Sequence, residues 1–253
     1  MRAITLLTDF GTVDYFVGAM KGAILSINPE AVIVDITHDI PAQHVAAGAF
    51  TLLAAYDTFP AGTIHVAVVD PGVGSERRAI VVRSGDHLFV GPDNGIFSYI
   101  YDRDRSFEVF HITATQYFRH PVTNTFHGRD IFAPVAAALS TGVDPSSVGP
   151  PISNPVRLPL TKEPQIINVD RFGNLVTNIT REMFPDGASL AVNETEIRAF
   201  RQFYADQVGG SEEPFMIWGS AGFLEISMNG RSASDFLGVA EWDEVRIVPP
   251  HHT

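Results

Sequence analysis

The sequence predicts an α/β N-terminal domain, a mostly parallel sheet with helices on both faces, followed by a smaller all-β domain, a barrel or sandwich. Three observations predict this. Short apolar strands alternate with helix-spaced segments through roughly the first 150 residues, the pattern of a parallel sheet flanked by helices. A proline-rich stretch, Gly149-Pro150-Pro151-Ile152-Ser153-Asn154-Pro155 with Pro159 and Pro164 behind it, marks a change of character. After it come short strands separated by turn residues, with few helical patterns. The expected division is an N-terminal domain at 1–153, a linker at 154–164 and a C-terminal domain at 165–253.

The elements follow in order. Ile4 to Leu7 is an apolar strand running into Thr8-Asp9-Phe10-Gly11. Tyr15 to Ile27 has helical spacing, with Phe16, Met20, Ala23, Ile24 and Ile27 on one side. Asp14 sits where an N-cap would sit, and Asn28-Pro29 ends the helix. Ala31 to Ile36 reads as a second buried strand, Val45 to Ala55 as a second helix and Ile64 to Val69 as a third strand. Ala79 to Arg83 and His87 to Val90 form a hairpin around Ser84-Gly85-Asp86. Asp130 to Ser140 is a helix with Pro134 near its first turn, where proline is tolerated. Beyond the linker, strands fall at Ile166 to Val169, Leu190 to Val192, Phe215 to Trp218, Phe223 to Ser227 and Glu244 to Val248.

Composition narrows the function classes. With 253 residues and 45% apolar content the chain can bury a sizeable core. A net charge of -12 argues against nucleic acid and against an anionic membrane surface. The chain has no cysteine, which excludes disulfides, thiolate nucleophiles and cysteine-ligated metals. The N-terminal apolar stretch is too short for a signal peptide, and no run reaches the roughly 18 apolar residues of a membrane span. These features lead us to expect a soluble, cytoplasmic protein.

The most informative stretch is Val68-Val69-Asp70-Pro71-Gly72-Val73-Gly74-Ser75-Glu76-Arg77-Arg78. An apolar strand ends at a carboxylate, and a tight turn brings Arg77 or Arg78 back towards it. Ligands of open α/β sheets bind at the carboxyl ends of strands, so a fixed carboxylate and guanidinium there point to chemistry. A turn-forming aspartate with a surface ion pair is the bland alternative, and the preceding strand tilts the balance. Asp9 and Asp14 flank the Gly11 turn between a strand and a helix, where a carboxylate can grip a ribose diol; the alternative is an Asx turn for Asp9 and a helix cap for Asp14, and taken alone Asp14 reads first as the cap. Thr125-Phe126-His127-Gly128-Arg129-Asp130 places a histidine just before a helix start, a candidate proton carrier near neutral pH. The other histidines (His38, His44, His65, His87, His111, His120, His251, His252) show no ligand spacing, so we expect no metal. Gly-x-Gly-x-x-Gly and the phosphate-loop motif are both absent, so no nucleotide cofactor is signalled. In the second half, Asp170-Arg171-Phe172-Gly173-Asn174 and Gly219-Ser220 through Met228 read as strand–turn–strand patterns.

In this order, and together with Gly91-Pro92-Asp93-Asn94-Gly95, these segments resemble the S-adenosylmethionine hydroxide adenosyltransferase family, the hydrolase relatives of the fluorinase and chlorinase. The resemblance covers nearly the whole chain. It implies a C-terminal β-barrel and a homotrimer, with substrate held between one subunit's N-terminal domain and a neighbour's C-terminal domain. It implies conversion of S-adenosylmethionine and water to adenosine and methionine, without cofactor or metal, by an Asp, an Arg and a His that fall on Asp70, Arg77 and His127. The family's spacing selects Arg77 over Arg78. It further implies Asp9 on the ribose hydroxyls, Asp14 at the methionine end, and Phe126 and the Gly128 backbone near the reacting carbon. Asp170, Ser220, Glu225 and Met228 would line the neighbour's half of the pocket, with Asn174 on the adenine. The halogenases carry a tyrosine at the position of Asp70 and a tyrosine followed by a serine at His127-Gly128. A carboxylate at Asp70 repels a halide and accepts a hydrogen bond from water. The alternatives are a halide adenosyltransferase and a non-catalytic adenosine or S-adenosylmethionine binder.

Overall fold

The structure, a computed structural model, describes residues 2–205 and 212–250; His251 and His252 lie outside them. The chain divides into two units, 1–159 and 160–253. Residues 154–158 are bonded into the first: Asp93 accepts from the Val156 N–H at 2.8 Å, and Ser98 Oγ accepts from the Leu158 N–H at 2.8 Å.

The first unit is built on seven strands: β1 (Ala3–Thr8), β2 (Val32–Thr37), β3 (Ile64–Val68), β4 (Ala79–Ser84), β5 (His87–Pro92), β6 (Glu108–His111) and β7 (Pro151–Ile152). Their order is β2-β1-β3-β5-β4-β6-β7. β2, β1, β3 and β5 pair in parallel, whereas β4 pairs antiparallel with β5 and β6, and β6 with β7. The sheet is therefore mixed, not mostly parallel. β4 enters the sheet reversed, the Ser84-Gly85-Asp86 hairpin turns the chain back so that β5 again runs with β3, and of the remaining strands only β7 is reversed as β4 is. A second expectation also fails. β2 is an edge strand and is not buried, with Val32 48% exposed. Its apolar run marks a strand but cannot distinguish an edge from a centre.

Helices cover both faces. Ile4, Leu6, Val66, Val68 and Val90 pack against α1 (Phe16–Ile27) and α4 (Ala133–Ser140). Leu7, Ala67, Val69, Ile80 and Phe89 face α2 (Val45–Ala55) and α3 (Ser98–Arg103). Alternate residues of each strand point to opposite faces, so strands buried on both sides are largely apolar, with Thr5 and Thr8 on β1 and His65 on β3 as buried polar residues. No helix among the described residues is long and apolar enough to cross a membrane.

Among its described residues the second unit holds two antiparallel sheets. One joins β8 (Ile166–Val169), β9 (Leu175–Thr177), β12 (Phe215–Trp218) and β13 (Leu224–Ser227) in the order β12-β13-β9-β8. The other joins β10 (Ser189–Val192), β11 (Thr195–Ile197) and β14 (Arg246–Val248) in the order β11-β10-β14. A short helix, α5 (Ala233–Leu237), is capped by Ser232, whose hydroxyl accepts from the Asp235 N–H. Leu175, Ile179, Leu190, Leu224 and Ile226 form their shared core.

Candidate active site

Asp70 is the second residue past the C-terminal end of β3, between buried Val69 and the turn Pro71-Gly72-Val73-Gly74. The Val73 N–H donates to the Asp70 carbonyl at 3.2 Å, which closes the turn. Arg77 then returns to Asp70. Its Nε donates to Oδ1 at 2.9 Å and an η nitrogen donates to Oδ2, a bidentate pair with side chains only 10% and 5% exposed. Gly72 lies beneath the arginine stem, where a Cβ would come within 3.3 Å of Arg77 Cγ. Arg78, next in an extended run, points elsewhere: it donates to Asp93 at 2.8 Å and to the Asn154 carbonyl at 2.7 Å. Alternation along the chain thus separates the two arginines.

His127 comes from a different part of the sequence. Gly74, at φ +79°, presses its backbone against the Asn124 carbonyl, where no side chain fits. The turn that carries Asp70 is thereby seated on the loop that carries His127. Asp130, fully buried, anchors that loop from the other side. Its carboxylate accepts from the Thr123 N–H at 2.9 Å, the Thr123 hydroxyl at 2.6 Å and Arg129 Nε at 2.6 Å. Burial raises the Asp130 pKa, but these donors outweigh it and the net shift is downward. Gly128–Phe132 forms a single wide π-helical turn that leads into α4, a feature frequent at functional sites.

One contact joins the two segments. An Arg77 η nitrogen lies 2.8 Å from His127 Nδ1. A guanidinium only donates, so Nδ1 accepts and the ring proton sits on Nε2. Burial, and then the Arg77 charge, lower the His127 pKa against the opposing pull of Asp70 and Asp130. The imidazole is neutral at pH 7, and its one N–H donor is Nε2.

Phe126 is buried in an aromatic cluster, 5.9 Å from Phe10 and 5.2 Å from Phe16 between ring centroids. Gly128 sits among these rings, where a Cβ would lie 3.2 Å from Met20 Sδ and 3.3 Å from Phe126. Asp9 follows β1, and its Oδ2 accepts the Gln43 N–H at 2.8 Å. Asp14 is exposed and is not the helix cap: Tyr15 occupies that position with helical dihedrals and no side-chain hydrogen bond.

The remaining expected residues lie in the second unit. Asp170 organises the β8–β9 turn: Oδ1 accepts from the Phe172 and Asn174 N–H groups at 2.8 and 2.9 Å, and Oδ2 from Asn174 Nδ2 at 2.8 Å. Asp170, Asn174 and Met228 line one cavity of about 570 Å³ with Phe172, Tyr204 and Arg231. Ser220 is exposed in the β12–β13 turn and does not line it. Glu225 is buried and does not line it either. Tyr204 was not singled out by sequence reasoning; it lies in an irregular segment with no motif around it. Phe172 stood inside a quoted motif but carried no signal of its own. Among the described residues, no group of three or more His, Cys, Asp or Glu is placed to hold a metal ion.

Comparison with known proteins agrees across both units. Residues 4–149 match the SAM hydroxide adenosyltransferase N-terminal domain and residues 164–246 match its C-terminal domain. The chain is 36% identical to an "(R)-S-adenosyl-L-methionine hydrolase" of Thermus thermophilus, covering 98% of this chain and 100% of the relative. It is 38% identical to one of Methanocaldococcus jannaschii, covering 97% and 95%. A "Fluorinase" of an Actinoplanes species is more distant, 27% identical over 70% of this chain and 72% of the relative. The crystal structure of an uncharacterized conserved protein from Thermotoga maritima superimposes with a TM-score of 0.90 at 36% identity, covering 97% of this chain and all of the other. The chain belongs to the SAM hydroxide adenosyltransferase family.

Proposed function

We propose that the protein hydrolyses S-adenosylmethionine to adenosine and methionine, with Asp70, Arg77 and His127 holding the attacking water. The observation that carries this reading is the arginine shared between Asp70 and His127. The names of the relatives support the substrate.

The chemistry needs little beyond placement. A lone pair of water forms the O–C5′ bond while the C5′–S bond breaks. Its electron pair goes to sulfur, and the sulfonium leaves as a neutral thioether. The attacking oxygen passes through a protonated alcohol, a strong acid, so no strong base is required. Asp70 keeps a lone pair on each oxygen after binding Arg77 and accepts a hydrogen bond from the water. His127 faces the site as an Nε2–H donor, and its Nδ1 is occupied by Arg77. Its role is to orient the nucleophile, and the released proton passes first to Asp70 and then to solvent. Correct positioning of a nucleophile is worth several kcal/mol of barrier.

Asp9 takes the ribose hydroxyls in this reading, and Asp14 the methionine end. The packed Phe126–Gly128 wall borders C5′. The second unit's cavity, lined by Asp170, Asn174 and Met228, supplies the other half of the pocket from a neighbouring subunit of a homotrimer. The two antiparallel sheets there would form the two halves of a small β-barrel. Incubation with S-adenosylmethionine, with and without chloride, tests the assignment. Adenosine and methionine are expected in equal amounts under both conditions. Chloride-dependent 5′-chloro-5′-deoxyadenosine, or full activity in Asp70→Ala, would overturn it.

A further inference from the structure

We propose that Asn94 is a positioning residue for the reaction, acting on Asp70 through the Val69 carbonyl, and that Asp93 beside it holds the other end of the same turn through Arg78. The proposal rests on the reading above that Asp70 and Arg77 hold the attacking water.

Asp70 and Arg77 stand at the two ends of one turn. Whatever fixes Val69 before it and Arg78 after it therefore sets where the carboxylate and the guanidinium meet. Both flanks touch the same segment, Gly91-Pro92-Asp93-Asn94-Gly95, at the end of β5. β5 runs parallel beside β3, with Val66 opposite Val90. One residue on, Gly91 lies against the Ala67 carbonyl, where a Cβ would come within 2.3 Å. Glycine alone allows that approach, and it keeps the residues after both strands together at the carboxyl end of the sheet.

Asn94 holds the upstream flank. Val69 is buried and lies just past the end of β3, and a buried carbonyl there needs a donor. Asn94 Nδ2 supplies it at 2.8 Å. The amide is aimed by its own oxygen, which accepts the Ile96 N–H at 3.2 Å. The bonded carbonyl belongs to the planar peptide group that carries the Asp70 N–H, so the amide fixes the plane from which Asp70 projects. Asp93 holds the downstream flank. Its N–H donates to the Arg78 carbonyl at 2.9 Å, and its buried carboxylate accepts from Arg78 Nε at 2.8 Å. The η nitrogens of Arg78 are fixed in turn by Asn154, at 2.9 Å to Oδ1 and 2.7 Å to the carbonyl. Arg77 thus leaves a backbone that is anchored one residue later. These hydrogen bonds go to the neighbours of Asp70 and Arg77, so the role is one of placement.

The test uses the full-length protein, steady-state hydrolysis of S-adenosylmethionine, and calorimetric binding of two probes, adenosine and 5′-deoxyadenosine. The 5′ oxygen of adenosine falls where the attacking water stands, and 5′-deoxyadenosine lacks it. Asn94→Ala should lower kcat about 10²-fold with KM unchanged, the scale of a misplaced reacting group. It should bind 5′-deoxyadenosine as the wild type does and adenosine more weakly. Asn94→Asp keeps the shape but presents a carboxylate that cannot donate to the Val69 carbonyl, and it should be as slow. Asp93→Asn keeps an acceptor for Arg78 but loses the charge, and it should show the same pattern with a smaller drop. Wild-type kcat in Asn94→Ala or in Asp93→Asn overturns the proposal. So does equal weakening of both probes in Asn94→Ala, the mark of a general loss of structure. If the wild type itself releases no adenosine from S-adenosylmethionine, the reading of the site falls, and the proposal falls with it.

Discussion

Arg77 donates to both carboxylate oxygens of Asp70 and to Nδ1 of His127, 2.8 Å away. One guanidinium therefore fixes the position of the acid, the tautomer of the imidazole and the distance between two segments fifty residues apart in sequence. It is itself held by Gly72 beneath its stem and by the Phe132 ring 5.2 Å away.

Arg77→Lys should lower kcat by about 10²- to 10³-fold with little change in fold. Lysine keeps the charge but not the planar fork, so it cannot hold Asp70 and His127 at once. Adenosine release measured beside thermal melting separates the two effects; a variant with wild-type turnover would show that the fork is dispensable.

His127 acts as a donor in this account, so His127→Gln should retain at least about tenfold more activity than His127→Ala. A general base would make the two variants equally poor. The pH profile carries the same information. The folded pKa of His127 lies below its ordinary value, so the neutral form persists through the neutral range. Turnover should be flat from about pH 7 upwards and decline only on the acid side of the ordinary histidine pKa of roughly 6.5.

Asp130→Asn should destabilise the first unit by about 3 kcal/mol, the scale of breaking a buried ion pair, and also lower activity, because Asp130 ties Thr123 and Arg129 to the segment that carries His127. Denaturant melts and turnover should fall together. A loss of activity with unchanged stability would place Asp130 in the chemistry instead.

His65 should make the first unit acid-sensitive. It is fully buried on β3, hydrogen bonded to Thr5 Oγ1 at 2.8 Å and to His87 at 3.2 Å, and burial followed by the His87 charge pushes its pKa down to about 3. Below the unfolded value of roughly 6.5 the unfolded chain binds a proton that the folded chain refuses. Stability is full above that pH and falls by about 1.4 kcal/mol per unit as pH drops towards 3. His65→Gln should flatten this limb between pH 6 and 4 in equilibrium denaturation, as estimated from the same linkage. An unchanged slope would mean that His65 is protonated in the fold.

The legible parts were those carried by local pattern. Val45–Ala55 and Ile166–Val169 form the elements expected from their spacing. The Asp70 turn was readable because strand, carboxylate, glycines and arginines are contiguous. Pairings made in space were not readable. β2 looked buried because an apolar run cannot report that a strand lies at an edge. The antiparallel half of the sheet depended on where the β4–β5 hairpin was inserted. Asp14 looked like a cap, but the helix begins two residues later, after Tyr15. Tyr204 had no pattern, because its meaning lies in a contact with Glu225, twenty-one residues away.

The central claim is that solvent oxygen displaces the thioether at C5′. Turnover of S-adenosylmethionine in ¹⁸O-labelled water, read by mass spectrometry, tests it most directly. The account predicts one labelled oxygen in adenosine, none in methionine, and loss of this product in Asp70→Ala. Unlabelled adenosine, or label in methionine instead, would contradict it.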